Sequence, residues 1–145
     1  MVVDTGPLVA AANRRDKAHF LAAALIAELG SEAVVPVPVL AETDHLLRTH
    51  VGVHAARLFL RSAADGAMTI DYLTPALLRR ATELDETFAD LDVGLTDSCV
   101  MAVAERHNLP ILTFDFEDFR ATKPARGFWR LIVDEGRYHD AISNA

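Results

Sequence analysis

Residues 93–115 read VGLTDSCVMAVAERHNLPILTFD. Gly94 interrupts whatever precedes it, and Thr96 has the character of an N-cap for the stretch DSCVMAVAERHN, whose apolar residues recur at helical spacing up to Asn108. The run LPILTF that follows is short, continuous and apolar, the pattern of a buried strand, and it ends on Asp115. A helix leading directly into a buried strand is the repeating unit of a parallel sheet. In such sheets ligands sit beyond the carboxyl ends of the strands, which is where Asp115 falls.

The same alternation extends in both directions. At the N-terminus MVVD is a short apolar strand ending in Asp4, and Gly6-Pro7 turns the chain into LVAAA, with Pro7 suited to a first helical turn. DKAHFLAAALIAELG, from Asp16, has helical spacing and stops at Gly30. EAVV reads as a strand, closed by Pro36 and Pro38, which also start the next helix. A helix follows from Val53 to about Ala64, Gly66 breaks it, AMTIDYL alternates as a strand, and Thr74-Pro75 opens the helix ALLRRATELDETFADL. FWRLIV is the expected last strand, before a polar tail. The pattern predicts one α/β domain over residues 1–145, with a mainly parallel sheet flanked by helices.

Composition bounds the function. The chain has 145 residues, 51% of them hydrophobic, enough for one core and too few for two. No apolar run reaches the roughly eighteen residues of a membrane span and no leader pattern opens the chain, so a cytoplasmic location is expected. The single cysteine, Cys99, has no partner for a disulfide or a zinc site and reads as a core residue. Twenty-one acids against 14 lysines and arginines give a formal charge of −7, which argues against diffuse attraction to polyanions. Phosphate binding then needs a local device: a divalent cation, or a basic patch such as Arg120, Lys123, Arg126 and Arg130, or Arg14, Arg15 and Lys17. No nucleotide loop, HExxH, CxxC or GxSxG is present. His50 and His54 are four apart, but Gly52 between them favours two surface histidines.

Four acids stand out. Asp4 and Asp115 end strands, and meet at one crevice if those strands are neighbours; each also suits a turn or a helix cap. Asp97 lies on a helical wheel among Val100, Met101 and Ala104, while Ser98, Glu105 and Arg106 mark the polar side. An ionised carboxylate there needs a cation, or donors such as the free N–H groups of a first turn. Glu42 and Asp44 border opposite sides of the stripe Val39, Leu40, Leu46 and Leu47, and periodicity does not choose between them. If Asp4, Glu42, Asp97 and Asp115 converge, their repulsion demands neutralisation, and a set of hard oxygen ligands suits Mg²⁺ or Mn²⁺.

The stretches VVDTGPLVA, VPVLAETDHLL and FADLDVGLTDSCVMAVAERHNLPILTFDFEDF, in this order and spacing, resemble the PIN-domain ribonucleases and, more narrowly, the VapC-type toxins of bacterial toxin–antitoxin pairs. The likeness spans nearly the whole chain. It matches Asp4, Glu42, Asp97 and Asp115 to that family's catalytic acids, with Asp4, Asp97 and Asp115 as metal ligands and Asp118 supporting or replacing Asp115. Thr5 resembles the hydroxyl residue that follows the first acid, whereas Gly6 stands where serine is usual. The resemblance implies a five-stranded PIN-like sheet, divalent-metal-dependent endonucleolytic cleavage of single-stranded RNA by an activated water, a homodimer, and inhibition by a cognate antitoxin. Arg120, Lys123, Arg126 and Arg130 are the candidates for guiding RNA. AHFLAAALIAEL and HAARLFLRSAA carry more apolar residues than one core-facing stripe uses, leaving surface for the antitoxin or for the core. A phosphoacceptor signalling domain fits less well, because Asp71 lies inside its strand and no lysine ends a late one. An inactive PIN-like binding module is opposed by the presence of all four acids.

Overall fold

The computed structural model describes residues 1–145. Strands β1 (Val2–Val3), β2 (Val34–Pro36), β3 (Thr69–Asp71) and β4 (Ile111–Leu112) form one parallel sheet in the order β3-β2-β1-β4. Val2 aligns with Val34 on one side and Ile111 on the other, so the first and fourth strands are indeed neighbours. Val2, Val3, Val35, Ile111 and Leu112 have no exposed surface. Such short strands persist because each side chain is worth about 1.5–3 kcal/mol of burial, more than its share of ladder hydrogen bonds.

Helices connect and cover the strands: α1 (Thr5–Ala12), α2 (His19–Leu29), α3 (Val37–His50), α4 (Val53–Ala64), α5 (Pro75–Thr87), α6 (Gly94–His107), α7 (Phe116–Ala121) and α8 (Glu135–Ser143). α6 is the central one, packed against α3, α5, β1 and β2, and every residue from Ser98 to Ala104 is buried. Ser98 therefore departs from its expected polar side: its hydroxyl donates back to the Gly94 carbonyl at 2.5 Å, which makes a buried serine tolerable. Cys99 is fully buried, as expected, and burial raises its thiol to about 11.

Four further expectations are corrected. The sheet has four strands rather than five, since FWRLIV meets β4 only at a bridge between Ile111 and Leu131. Trp129 Nε1 donates to Thr122 Oγ1 on one side of that bridge and Asp134 caps α8 on the other, so the segment is turned away before a ladder can grow. α6 begins at Gly94, not after Thr96, because Asp85 of α5 accepts the Gly94 N–H at 2.9 Å and caps the helix from outside. α2 begins at His19 rather than Asp16, whose carboxylate accepts the Ala18 N–H in the preceding turn. The polar tail is the helix α8, started by the Asp134 carboxylate on the Arg137 N–H at 2.8 Å.

Glu105 ties α5, α6 and the loop after α7 together. It accepts from Arg80 Nε at 2.7 Å and Nη2 at 3.0 Å, and from the Ala125 N–H at 2.7 Å. Arg80 and these donors hold its carboxyl below the usual 4.5. A lowered folded-state pKa means stabilisation that is present above the ordinary glutamate pKa and is lost as pH falls through the lowered value. Glu105→Gln is expected to cost about 1 kcal/mol at neutral pH, the scale of a part-exposed forked ion pair, and to lessen the loss of stability below pH 4.5. Urea denaturation across pH checks both effects.

Candidate functional site

The turn from β1 into α1 places Asp4. It is buried, follows Val3 at the carboxyl end of the strand, and caps α1 by accepting the Thr5 N–H on Oδ1 at 2.7 Å. Its Oδ2 accepts from Thr113 Oγ1 at 2.7 Å, across the boundary between β1 and β4. Thr113 Oγ1 also accepts the Asp115 N–H at 3.0 Å. Thr5 Oγ1 donates to Glu42 Oε2 at 2.6 Å. Thr5, through its N–H and its hydroxyl, and Thr113, through its hydroxyl, thus join Glu42, Asp4 and the start of α7 into one chain of contacts.

Glu42 stands in α3 on the side facing this cleft, whereas Asp44 accepts from Arg48 Nε at 2.8 Å on its own helix. Asp97 comes from the first turn of α6. Asp115 caps α7 by accepting the Asp118 N–H at 3.2 Å, which brings Asp118 in the same helix's first turn towards Asp97. Oxygens of Asp97, Asp115 and Asp118 lie within 4.8 Å of one another. The close trio is therefore Asp97, Asp115 and Asp118 rather than Asp4, Asp97 and Asp115. Asp4 sits beneath it with both oxygens engaged by Thr5 and Thr113.

The cleft over these residues has a volume of about 750 Å³. Seven carboxylates line it, from Asp4, Asp16, Glu42, Asp97, Asp115, Glu117 and Glu135, and no lysine or arginine does. Burial pushes the Asp97 carboxyl up to about 7, and the charges of Asp4, Asp115, Asp118 and Glu42 add to that rise. Burial likewise raises Asp4, against the hydrogen bonds from Thr113 and Thr5, and raises Asp118, with Asp115 and Glu117 contributing. Hard oxygens, excess negative charge and access to water fit a hydrated divalent cation held by Asp97, Asp115 and Asp118. A side chain at Gly6 would meet only Phe114 Cβ, at 3.8 Å, so sterics do not demand glycine there.

The basic segment does not form one patch. Arg120, on α7, pairs with Glu135 at the rim of the cleft. Lys123 is exposed in the loop after α7. Arg126 and Arg130 lie around Asn108, where α6 ends and β4 has yet to begin, at the sheet end opposite the acids. His50 and His54 are both exposed, at facing ends of α3 and α4. Sequence reasoning missed Thr113, whose signal was a lone hydroxyl in an apolar strand. It also missed Asp16, Glu117, Glu135, Tyr138 and His139, which gave no signal in the linear order.

A raised carboxyl pKa means that the folded chain binds a proton the unfolded chain has lost, so stability falls as pH rises from 3.8 to about 7. Asp97→Asn in the presence of a chelator is expected to remove that slope and stabilise the metal-free protein at pH 8 by about 1–2 kcal/mol, allowing for solvent screening. Thermal melts of both proteins across pH measure it. Adding Mg²⁺ or Mn²⁺ should raise the melting temperature of the wild type more than that of the variant.

A family model for the PIN domain matches residues 1–123, so α8 lies outside the matched stretch. Ribonuclease VapC26 of Mycobacterium tuberculosis is 30% identical over 128 residues, 88% of this chain and 95% of that protein. VapC20 of the same organism, described as a toxin that cleaves the sarcin–ricin loop, superposes with a TM-score of 0.75 at 23% identity, over 88% of this chain and 95% of that one. The VapBC2 structure from Rickettsia felis, bound to a DNA fragment from its promoter, gives 0.63 at 16% identity, over 90% and 95% of the two chains. A toxin–antitoxin complex from Klebsiella pneumoniae gives 0.61 at 17% identity, over 81% and 88%. The match to the family model and the identity to a VapC ribonuclease agree with the fold and the gathered acids: the chain belongs to the PIN-domain family, in its VapC-type branch of toxin–antitoxin ribonucleases.

Proposed function

We propose that this protein is an endoribonuclease that hydrolyses single-stranded RNA with Mg²⁺ or Mn²⁺, and that it acts as a cytoplasmic toxin silenced by a cognate antitoxin. The observation that carries the reading is the meeting of Asp4, Glu42, Asp97 and Asp115 in one open cleft at the carboxyl ends of β1 and β4, with an oxygen of Asp118 within 4.8 Å of those of Asp97 and Asp115. Asp97, Asp115 and Asp118 are the proposed holders of the cation. When bound, such an ion lowers the pKa of a water and takes up charge developing on a phosphodiester.

The protein groups have separate tasks. Thr113 and the Thr5 N–H hold Asp4 in one rotamer, so its charge bears on Asp97 and Asp115 without moving. Thr5 Oγ1 orients Glu42, the acid placed to receive a proton from the attacking water. The surplus of carboxylates makes a cation necessary before a polyanion enters, which reconciles the charge of −7 with an RNA substrate.

The same surplus favours silencing by an arginine from the antitoxin, whose forked guanidinium pairs with two carboxylates at once. Apolar surface for the rest of an antitoxin is present: Phe20 on α2 is 81% exposed and Leu58 on α4 is 51% exposed. A homodimer is part of the proposal. No helix is long and apolar enough to cross a membrane.

Asp97→Asn is expected to abolish Mg²⁺-dependent cleavage of a single-stranded RNA while circular dichroism stays unchanged; a variant cleaving at the wild-type rate would remove the assignment. Glu42→Gln should slow cleavage by ~10² or more, the order of a positioned proton-transfer group, and Asp44→Asn, which loses only its pair with Arg48, far less. Initial rates on a fluorescent RNA compare the two. An antitoxin-derived peptide should lose its inhibition when its arginine is changed to alanine.

A further inference from the structure

One wall of the acidic cleft is aromatic. Tyr138 and His139 stand side by side on α8 and both line it, together with Phe114 and Phe116. The Tyr138 ring packs on Phe114 at 4.7 Å and on Phe116 at 5.6 Å, and the His139 ring lies 5.9 Å outward from it. Tyr138 is half-buried and His139 is exposed, so the ladder runs from the core to the open cleft.

The helix that carries them is well anchored. Asp134 caps it, the Tyr138 N–H donates to the Asp134 carbonyl at 3.1 Å, and Glu135 pairs with Arg120 of α7. Tyr138 is braced by Phe114 and Phe116 and His139 stands exposed beside it, so the pair presents aromatic surface to the seven carboxylates of the cleft. No lysine or arginine lines the cleft and Arg120 at its rim is paired with Glu135, which favours contacts that do not depend on attracting phosphate. Stacking of an unpaired base on an aromatic side chain is such a contact, and it suits single-stranded RNA.

We infer that Tyr138 and His139 form a stacking platform for a base of the RNA beside the cleaved bond, holding the strand in register over Asp97, Asp115 and Asp118. This rests on the proposed ribonuclease activity. The platform gives α8 a part in holding the strand, with a modest preference for strongly stacking bases, apart from the acids that support cleavage.

The test measures KM, kcat and the bases flanking the cut on a randomised single-stranded RNA with Mg²⁺, for the wild type, His139→Ala, Tyr138→Leu and Tyr138→Phe. His139→Ala and Tyr138→Leu are expected to raise KM by about tenfold, the scale of one stacked base, with a smaller change in kcat and a flattened base preference. Tyr138→Phe should recover much of what Tyr138→Leu loses. Unchanged KM and base preference in His139→Ala and Tyr138→Leu, or a fall in kcat alone, would overturn the inference. Should Tyr138→Leu fail to fold, the exposed His139 still decides the outcome.

A second arm separates this inference from the ribonuclease reading. Single-stranded RNA carrying a fluorescent adenine analogue is added to the Asp97→Asn protein, where no cleavage is needed. Quenching that disappears with His139→Ala supports stacking even if the wild type cuts no RNA. Absence of quenching in a wild type that does cut RNA rejects the platform alone.

Discussion

Asp4 is a carboxylate with about 5% of its surface exposed at the end of an inner strand, and the structure around it is arranged to make that burial possible. An isolated buried carboxylate costs several kcal/mol, so donors must come from the chain itself. The first turn of α1 gives one N–H and Thr113, just after β4, gives its hydroxyl, which requires β4 to lie beside β1 in its observed register. That pairing places Asp115 at the same end of the sheet. The Thr113 bond to the Asp115 N–H then starts α7, which carries Asp118.

Electrostatics sets the opposite demand. No lysine or arginine lines the cleft, and the rise of Asp97 to about 7 comes first from its burial, with the charges of Asp4, Asp115, Asp118 and Glu42 adding to it. Fold stability would be better served by a lysine there. Its absence is intelligible if the missing positive charge arrives from outside, first as a metal ion and then, when the toxin is silent, as an arginine. Stability held low at the site is offset elsewhere, by the buried run of α6 and by the Arg80–Glu105 pair that locks it to α5.

Much of this could be read directly from the residues. Helix α4 was expected at its observed bounds, and Gly30 and Asn108 end α2 and α6 in left-handed or related conformations that glycine and asparagine tolerate. These features are local: spacing at period 3.6, a cap, a breaker. The parallel sheet followed from the alternation of such segments, and the acids stood out because charged residues fell at strand ends or on an apolar helix face.

What the sequence could not determine was long-range. Thr96 looked like a cap, but Asp85, nine residues before Gly94 and on another helix, took the role, since a cap is decided by whichever donor or acceptor is nearest in space. Arg120 and Arg130 are only ten residues apart in the chain, yet Arg120 pairs with Glu135 at the rim of the cleft and Arg130 donates to Asn108 at the other end of β4. Periodicity left Glu42 and Asp44 equal; in space Thr5 Oγ1 donates to Glu42 at 2.6 Å across 37 residues, while Asp44 pairs with Arg48 on its own helix. The sequence alone determined most helices, the inner strands and the acids; the tertiary structure alone decided which acids meet and that FWRLIV stays out of the sheet, because hydrogen bonds and Coulomb forces act over distances in space that chain separation does not encode.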